Sequence, residues 1–147
     1  MSGEYLALAR RIPFFNGLRP EEIAKIFSKG LTMRVEKGNT VFYKGTTGNA
    51  MFVVLGGKVS LFDGEKHIAD LTTGDMFGEM ALISKEPRSA TAVAAEESNL
   101  FVLNESIFQR LMTKRVAIRI LLNVVGTLSE RLRIANMRLV ELDQERI

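Results

Sequence analysis

The sequence predicts one mainly β domain: an antiparallel, jelly-roll-like β-roll with helices ahead of it and a long helix behind it. Three observations carry this expectation. Residues 31–103 read as short β-type runs separated by turn residues, the pattern of an antiparallel roll or barrel. Residues 1–30 carry helix start and stop signals, and residues 104–147 contain a sustained apolar repeat of helical period. At 147 residues the chain has the length of a single domain with a real core.

Residues 4–11 predict a short helix, with Tyr5, Leu6 and Leu8 available for packing. Pro13 stops it, and Ile12-Pro13-Phe14-Phe15-Asn16-Gly17-Leu18 forms a compact apolar turn. A second helix starts at Pro20, a favourable first helical residue, followed by Glu21 and Glu22 where the helix dipole favours acids. Adjacent helical residues point apart, so these two carboxylates read as capping groups and not as a catalytic pair. Ile23, Ile26 and Phe27 form the buried stripe, and Gly30 ends the helix.

From Leu31 the period changes. The predicted strands are Thr32–Glu36, Thr40–Tyr43, Ala50–Leu55, Lys58–Phe62, His67–Leu71, Thr91–Ala95 and Leu100–Leu103. Gly56-Gly57 and Asp63-Gly64 read as hairpin turns, because such pairs accept positive φ. After the roll, Asn104 is positioned to cap a helix over Glu105–Met112, with Ile107, Phe108 and Leu111 on one face. Ile118, Leu121, Val125, Leu128, Leu132, Ala135, Leu139 and Leu142 then follow at spacings of 3, 4, 3, 4, 3, 4 and 3. A helix packed on its own roll also carries an apolar stripe, but a wider one. The narrow series favours a two-stranded parallel coiled coil, and hence a homodimer through residues 118–142. Gly126 is its one weak helix residue.

Composition removes several functions. With no cysteine there is no disulfide, thiolate metal site or iron–sulfur cluster. One histidine, His67, cannot build a multi-histidine metal centre, and a serine triad would have only His67 to draw on. His67 reads as structural, and an enzyme is not expected. The Met1-Ser2-Gly3-Glu4 start lacks signal-peptide order, and no apolar run approaches the ~18 residues of a membrane span. A cytoplasmic protein without membrane contact is the expectation. The net charge is +3, and the late cations Arg110, Lys114, Arg115, Arg119, Arg131, Arg133 and Arg138 read as a solvated helix face ahead of a nucleic-acid surface.

The functional signal is concentrated in residues 77–91. Gly78 lets a ligand approach the main chain closely, and Glu79 to Leu82, including Met80 and Ala81, read as one helical turn with its N–H groups free for an anion. Arg88 follows behind Pro87; its planar fork suits a phosphate, with the Ser89 hydroxyl and the unobstructed N–H of Ala90 beside it. Glu79 repels phosphate but suits sugar hydroxyls. Together these residues describe a pocket for a ribose carrying a compact phosphate.

The ordered run Phe77-Gly78-Glu79, then Pro87-Arg88-Ser89-Ala90-Thr91, closely resembles the phosphate-binding cassette of cyclic nucleotide-binding domains, the family of catabolite activator-type receptors, kinase regulatory subunits and nucleotide-gated channels. Gly38, Gly56 and Gly57 also fall where that family places its roll glycines. The resemblance implies that Glu79 holds the ribose 2′-hydroxyl, that Arg88 neutralises the cyclic phosphate, and that Ser89 with the N–H groups of Gly78, Glu79 and Ala90 completes the cradle. It implies that Arg131 pairs with Glu79, and that Ala135 and Asn136 lie where the last helix reaches the base. The expected ligand is cyclic AMP, with cyclic GMP as the alternative, since threonine at the Ser89 position is associated with cyclic GMP and serine is less decisive. No other cofactor is expected.

The expected protein is thus a dimeric sensor, residues 1–147, that signals to a separate output partner. A transcription regulator of this family carries a helix-turn-helix domain after the long helix, and none is expected within these 147 residues. A truncated regulator and a dimeric scaffold that has lost its ligand are the alternatives, the second opposed by the intact Glu79 and Arg88.

Overall fold

The run Ala50–Gly56 is apolar at almost every position, and the computed structural model shows why: its strand is covered on both faces. The structure describes residues 3–145, and side chains from residue 6 onward. The Tyr5 side chain and the Met1-Ser2 start, on which the sequence placed expectations, lie outside these. The chain runs α1 (Gly3–Ala9), a 3-10 turn (Pro13–Phe15), α2 (Pro20–Lys29), β1 (Leu31–Val35), β2 (Thr40–Phe42), β3 (Ala50–Gly56), β4 (Val59–Asp63), β5 (Lys66–Leu71), β6 (Met76–Phe77), α3 (Met80–Ile83), β7 (Thr91–Ala94), β8 (Ser98–Asn104), α4 (Glu105–Leu111) and α5 (Lys114–Glu145).

Two four-stranded antiparallel sheets form the roll, in the orders β1-β8-β3-β6 and β2-β7-β4-β5. Side chains alternate across a strand, and in β3 both sides meet apolar partners. Phe52 and Val54 face the roll interior with Val59, Phe77, Ala92 and Leu100. Met51 and Val53 face the other way, into a second core made with Ile12, Phe14, Ile23, Phe27, Phe108, Val116 and Ile120. The first sheet is therefore shared between the roll and the helices, which fixes the helices against the strand that leads to the cassette.

Two turn readings diverge. Asp63-Gly64 joins β4 to β5, which pair antiparallel from Asp63 opposite Lys66. Gly56-Gly57 makes no hairpin: β3 and β4 lie in different sheets, and the glycines form the corner between them. Gly57 has φ 90°, and the carbonyl of Glu97 passes 2.4 Å from where its Cβ would stand. Positive φ explains both turns; it does not tell which sheet the chain enters next. β6 was not predicted; two residues long, it pairs Phe77 with Phe52 and Met76 with Val53.

The helix ends follow their capping chemistry. Glu22 accepts the Arg19 N–H at 2.8 Å, and Asn104 Oδ1 accepts the Ile107 N–H at 2.8 Å. The long helix starts at Lys114, four residues ahead of the apolar series, because Thr113 Oγ1 accepts the Val116 N–H at 3.2 Å. His67, on β5, hydrogen-bonds Asp70 at 2.7 Å and meets the Phe62 ring edge-on.

The first third of α5 is fastened to the body. Val116, Ile120 and Val124 are buried. Arg115 donates to the carbonyl of Gly17 and to Glu22, both at 3.1 Å. Asn123 Nδ2 donates to two carbonyls of the apolar turn, Phe14 at 3.0 Å and Asn16 at 2.8 Å. Replacing Asn123 by Ala is expected to cost about 1–3 kcal/mol of stability, because it strands the two carbonyls. Urea unfolding with an unchanged slope would measure it, and a midpoint equal to the parent would refute the clamp.

Candidate functional site

Arg88 is only 9% exposed, an unusual state for a cation. Its guanidinium lies over the Phe42 ring, 4.2 Å from the centroid. Nη2 donates to the Ala50 carbonyl at 2.8 Å and Nη1 to the Gly78 carbonyl at 3.1 Å. Nε is buried and has no partner. Burial draws the guanidinium below its ordinary pKa, and the Glu79 carboxylate pulls it back up; it remains charged at neutral pH. Two glycines make the room. A Cβ on Gly48 would stand 2.2 Å from Nη2, and one on Gly78 2.6 Å from Nη1. Gly78 also has φ 73°, so no other residue serves there without strain.

Glu79 sits immediately before α3 with its side chain 15% exposed. Arg131 reaches down from α5 and its Nη2 donates to Glu79 Oε1 at 3.1 Å. Between this pair and Arg88 opens a cavity of about 340 Å³. Gly78, Glu79, Met80, Ala81, Arg88, Ser89, Ala90 and Arg131 all line it. Its remaining walls are apolar or acidic: Phe42, Leu61, Leu71, Met76, Phe77, Glu86 and Pro87. The arrangement offers a buried cation and a carboxylate on one cavity lined otherwise by apolar surface.

Of the expected contact positions, Ala135 and Asn136 are not brought to this cavity; both are exposed on α5. Asn136 instead lines a shallow groove with Arg133, Met137, Val140 and Glu141. Sequence reasoning missed Gly48, Ala50 and Phe42, which hold Arg88. The only available signal was Gly48 within the glycine-rich 45–49 turn, and its purpose depends on a residue far along the chain.

Comparison with known proteins identifies the family. The cyclic nucleotide-binding domain profile matches residues 32–115, more than half of the chain. The chain belongs to the cyclic nucleotide-binding domain family. A cyclic AMP receptor protein of Thermus thermophilus is 36% identical over 132 residues, covering 86% of this chain and 60% of that protein. A cAMP-dependent protein kinase regulatory subunit of Hypocrea atroviridis is 29% identical over 108 residues, covering 74% of this chain and 23% of that one. The chain thus spans less than two thirds of these relatives. The crystal structure of the Thermus thermophilus catabolite activator protein superposes with a TM-score of 0.77 at 34% identity, covering 89% of this chain and 63% of that one.

Within this cyclic nucleotide-binding domain, the seat of Arg88 yields a prediction. Gly48→Ala is expected to cost about 1–3 kcal/mol, because the new methyl evicts the guanidinium from its two carbonyls. In an Arg88→Ala background the same change should cost almost nothing. A double-mutant cycle by thermal unfolding measures the difference; equal costs in both backgrounds would refute the contact.

Proposed function

We propose that the chain binds a cyclic nucleotide, cyclic AMP first and cyclic GMP as the competitor, and acts as a sensor rather than an enzyme. The observation that carries this reading is Arg88: a buried cation whose direct contacts among the described residues are neutral carbonyls and ring faces, with its Nε unpartnered and Glu79 its nearby but unbonded carboxylate. A phosphate in the cavity gives that cation the directly bonded counter-charge it lacks. Glu79, whose second oxygen has no hydrogen-bond partner among the described residues, accepts from a ribose hydroxyl. Ser89 and the N–H groups of Gly78 and Ala90 complete the cradle. The relative described as a cyclic AMP receptor protein supports the choice of cyclic AMP. We assign Ala135 and Asn136 to base contacts that need α5 to shift or a partner to approach, since neither lines the cavity.

The same reading makes the protein a homodimer through residues 118–142. Ile118, Leu121, Val125, Leu128, Leu132, Leu139 and Leu142 lie 44–62% exposed along the heptad seam, and this stripe favours a parallel partner helix. Occupancy of the cavity reaches α5 through Glu79 and Arg131, and a separate output protein reads the helix; the coupling equals the difference in nucleotide affinity between the two helix positions. Among the described residues no helix is long and apolar enough to cross a membrane, and the cytoplasm is the proposed compartment.

Calorimetric titration with each nucleotide tests the first claim: one saturable site per chain is expected. Arg88→Ala and Arg88→Lys should each lose about 1.5–3 kcal/mol, or roughly 10- to 100-fold in Kd. Unchanged affinity in the folded Lys variant would remove Arg88 from the site. For the second claim, Leu128→Glu with Leu132→Glu should sediment as a monomer where the parent sediments as a dimer. A parent that is monomeric at high concentration would end the coiled-coil reading.

A further inference from the structure

Behind the Glu79–Arg131 pair lies a second cavity, of about 230 Å³. It shares Met76, Glu79, Met80 and Arg131 with the first but touches none of Arg88, Ser89 or Ala90. The ion pair lines both cavities. The second room lies where three elements converge: the turn after α1, the approach to β6, and α5 just beyond the Asn123 clamp.

Its lining has a definite chemistry. Phe14, Met76, Met80 and Val124 supply apolar walls. A dry cavity of about 150 Å³ accepts benzene, so 230 Å³ holds a larger ring system. Four charged groups face the room: Arg11, Asp75, Glu79 and Arg131. Glu79 and Arg131 neutralise each other at 3.1 Å. Asp75 is turned to its own loop, where Oδ2 accepts the Thr72 N–H at 2.8 Å. The Arg11 guanidinium has no hydrogen bond or ion pair among the described residues, and neither does the Thr127 hydroxyl on the facing helix. The exposed Arg11 fork, free of protein partners among the described residues, suits a carboxylate attached to a flat apolar body lying on these walls.

We propose that this cavity is a second small-molecule site, for an aromatic monocarboxylate whose ring lies against Phe14, Met76 and Val124 and whose carboxylate meets Arg11 and Thr127. The proposal does not rest on the nucleotide reading, because the residues that recognise the acid are absent from the cassette cavity.

The test is a titration of the full chain with 2-naphthoate, followed by amide NMR. One saturable site per chain is expected, with the largest shifts at Phe14, Met76 and Thr127. Arg11→Ala, at an exposed position, should weaken binding about tenfold. Thr127→Leu, which narrows the room on a half-exposed helix position, should abolish it. Ser89→Phe, which obstructs the cassette cavity alone, should leave it unchanged. The proposal is overturned if no binding is seen, if Ser89→Phe removes it, or if Arg11→Ala and Thr127→Leu both leave it intact. It is also overturned if neutral 2-naphthalenemethanol binds as tightly as the acid. A separate cyclic AMP titration distinguishes these outcomes from failure of the nucleotide site.

Discussion

A guanidinium removed from water without a carboxylate against it is a constraint that must be met from several directions at once. Arg88 meets it with the Ala50 carbonyl at the head of β3, the Gly78 carbonyl at the head of the cassette, and the Phe42 ring on β2. Two strands from different sheets and one loop are thereby tied to a single side chain. Desolvation disfavours the cation and the nearby Glu79 carboxylate favours it.

The two-sided sheet explains why that site is coupled to the helices. β3 and β8 send alternate residues into the roll and into the helical core, so neither core can repack alone. The cassette begins at the end of β6, which is itself paired to β3. The cavity beside Arg88 is consequently bounded by one wall tied to the sheet and one wall supplied by α5 through Arg131. Stability is concentrated in the first wall. The second rests on one ion pair whose arginine is largely exposed, and exposed pairs contribute little.

What was legible in the sequence was the chemistry that acts locally. The helix start at Pro20, the cap at Asn104, the Asp63-Gly64 hairpin and the order of residues around Glu79 and Arg88 each declare themselves within a few positions. What stayed hidden depends on distant partners. Gly48 reads as a turn residue until Arg88 is seen packed against it. The Gly56-Gly57 corner carries the same signal as a hairpin, and a two-residue strand such as β6 has no period to detect. Helix phase imposes a further limit. Consecutive helical residues diverge by ~100°, so Arg131 and Asn136, five apart, face different surroundings although they are neighbours in sequence.

α5 changes character part-way along its length. Up to Val124 one face of it is buried and clamped; from Leu128 onward every described residue is exposed. At ~1.5 Å per residue the free portion from Val124 to Glu145 extends roughly 30 Å. Asn123 stands at the fulcrum, and Arg131 bears on the cassette close to it. Arg131 stands roughly 12 Å beyond the fulcrum and Glu145 roughly 33 Å, both on the free arm. A tilt of about 10° at the fulcrum would carry the far end about 5 Å, close to one helical turn. The geometry is that of a pointer, in which a displacement of atomic size near the pivot becomes a displacement of side-chain size at the tip.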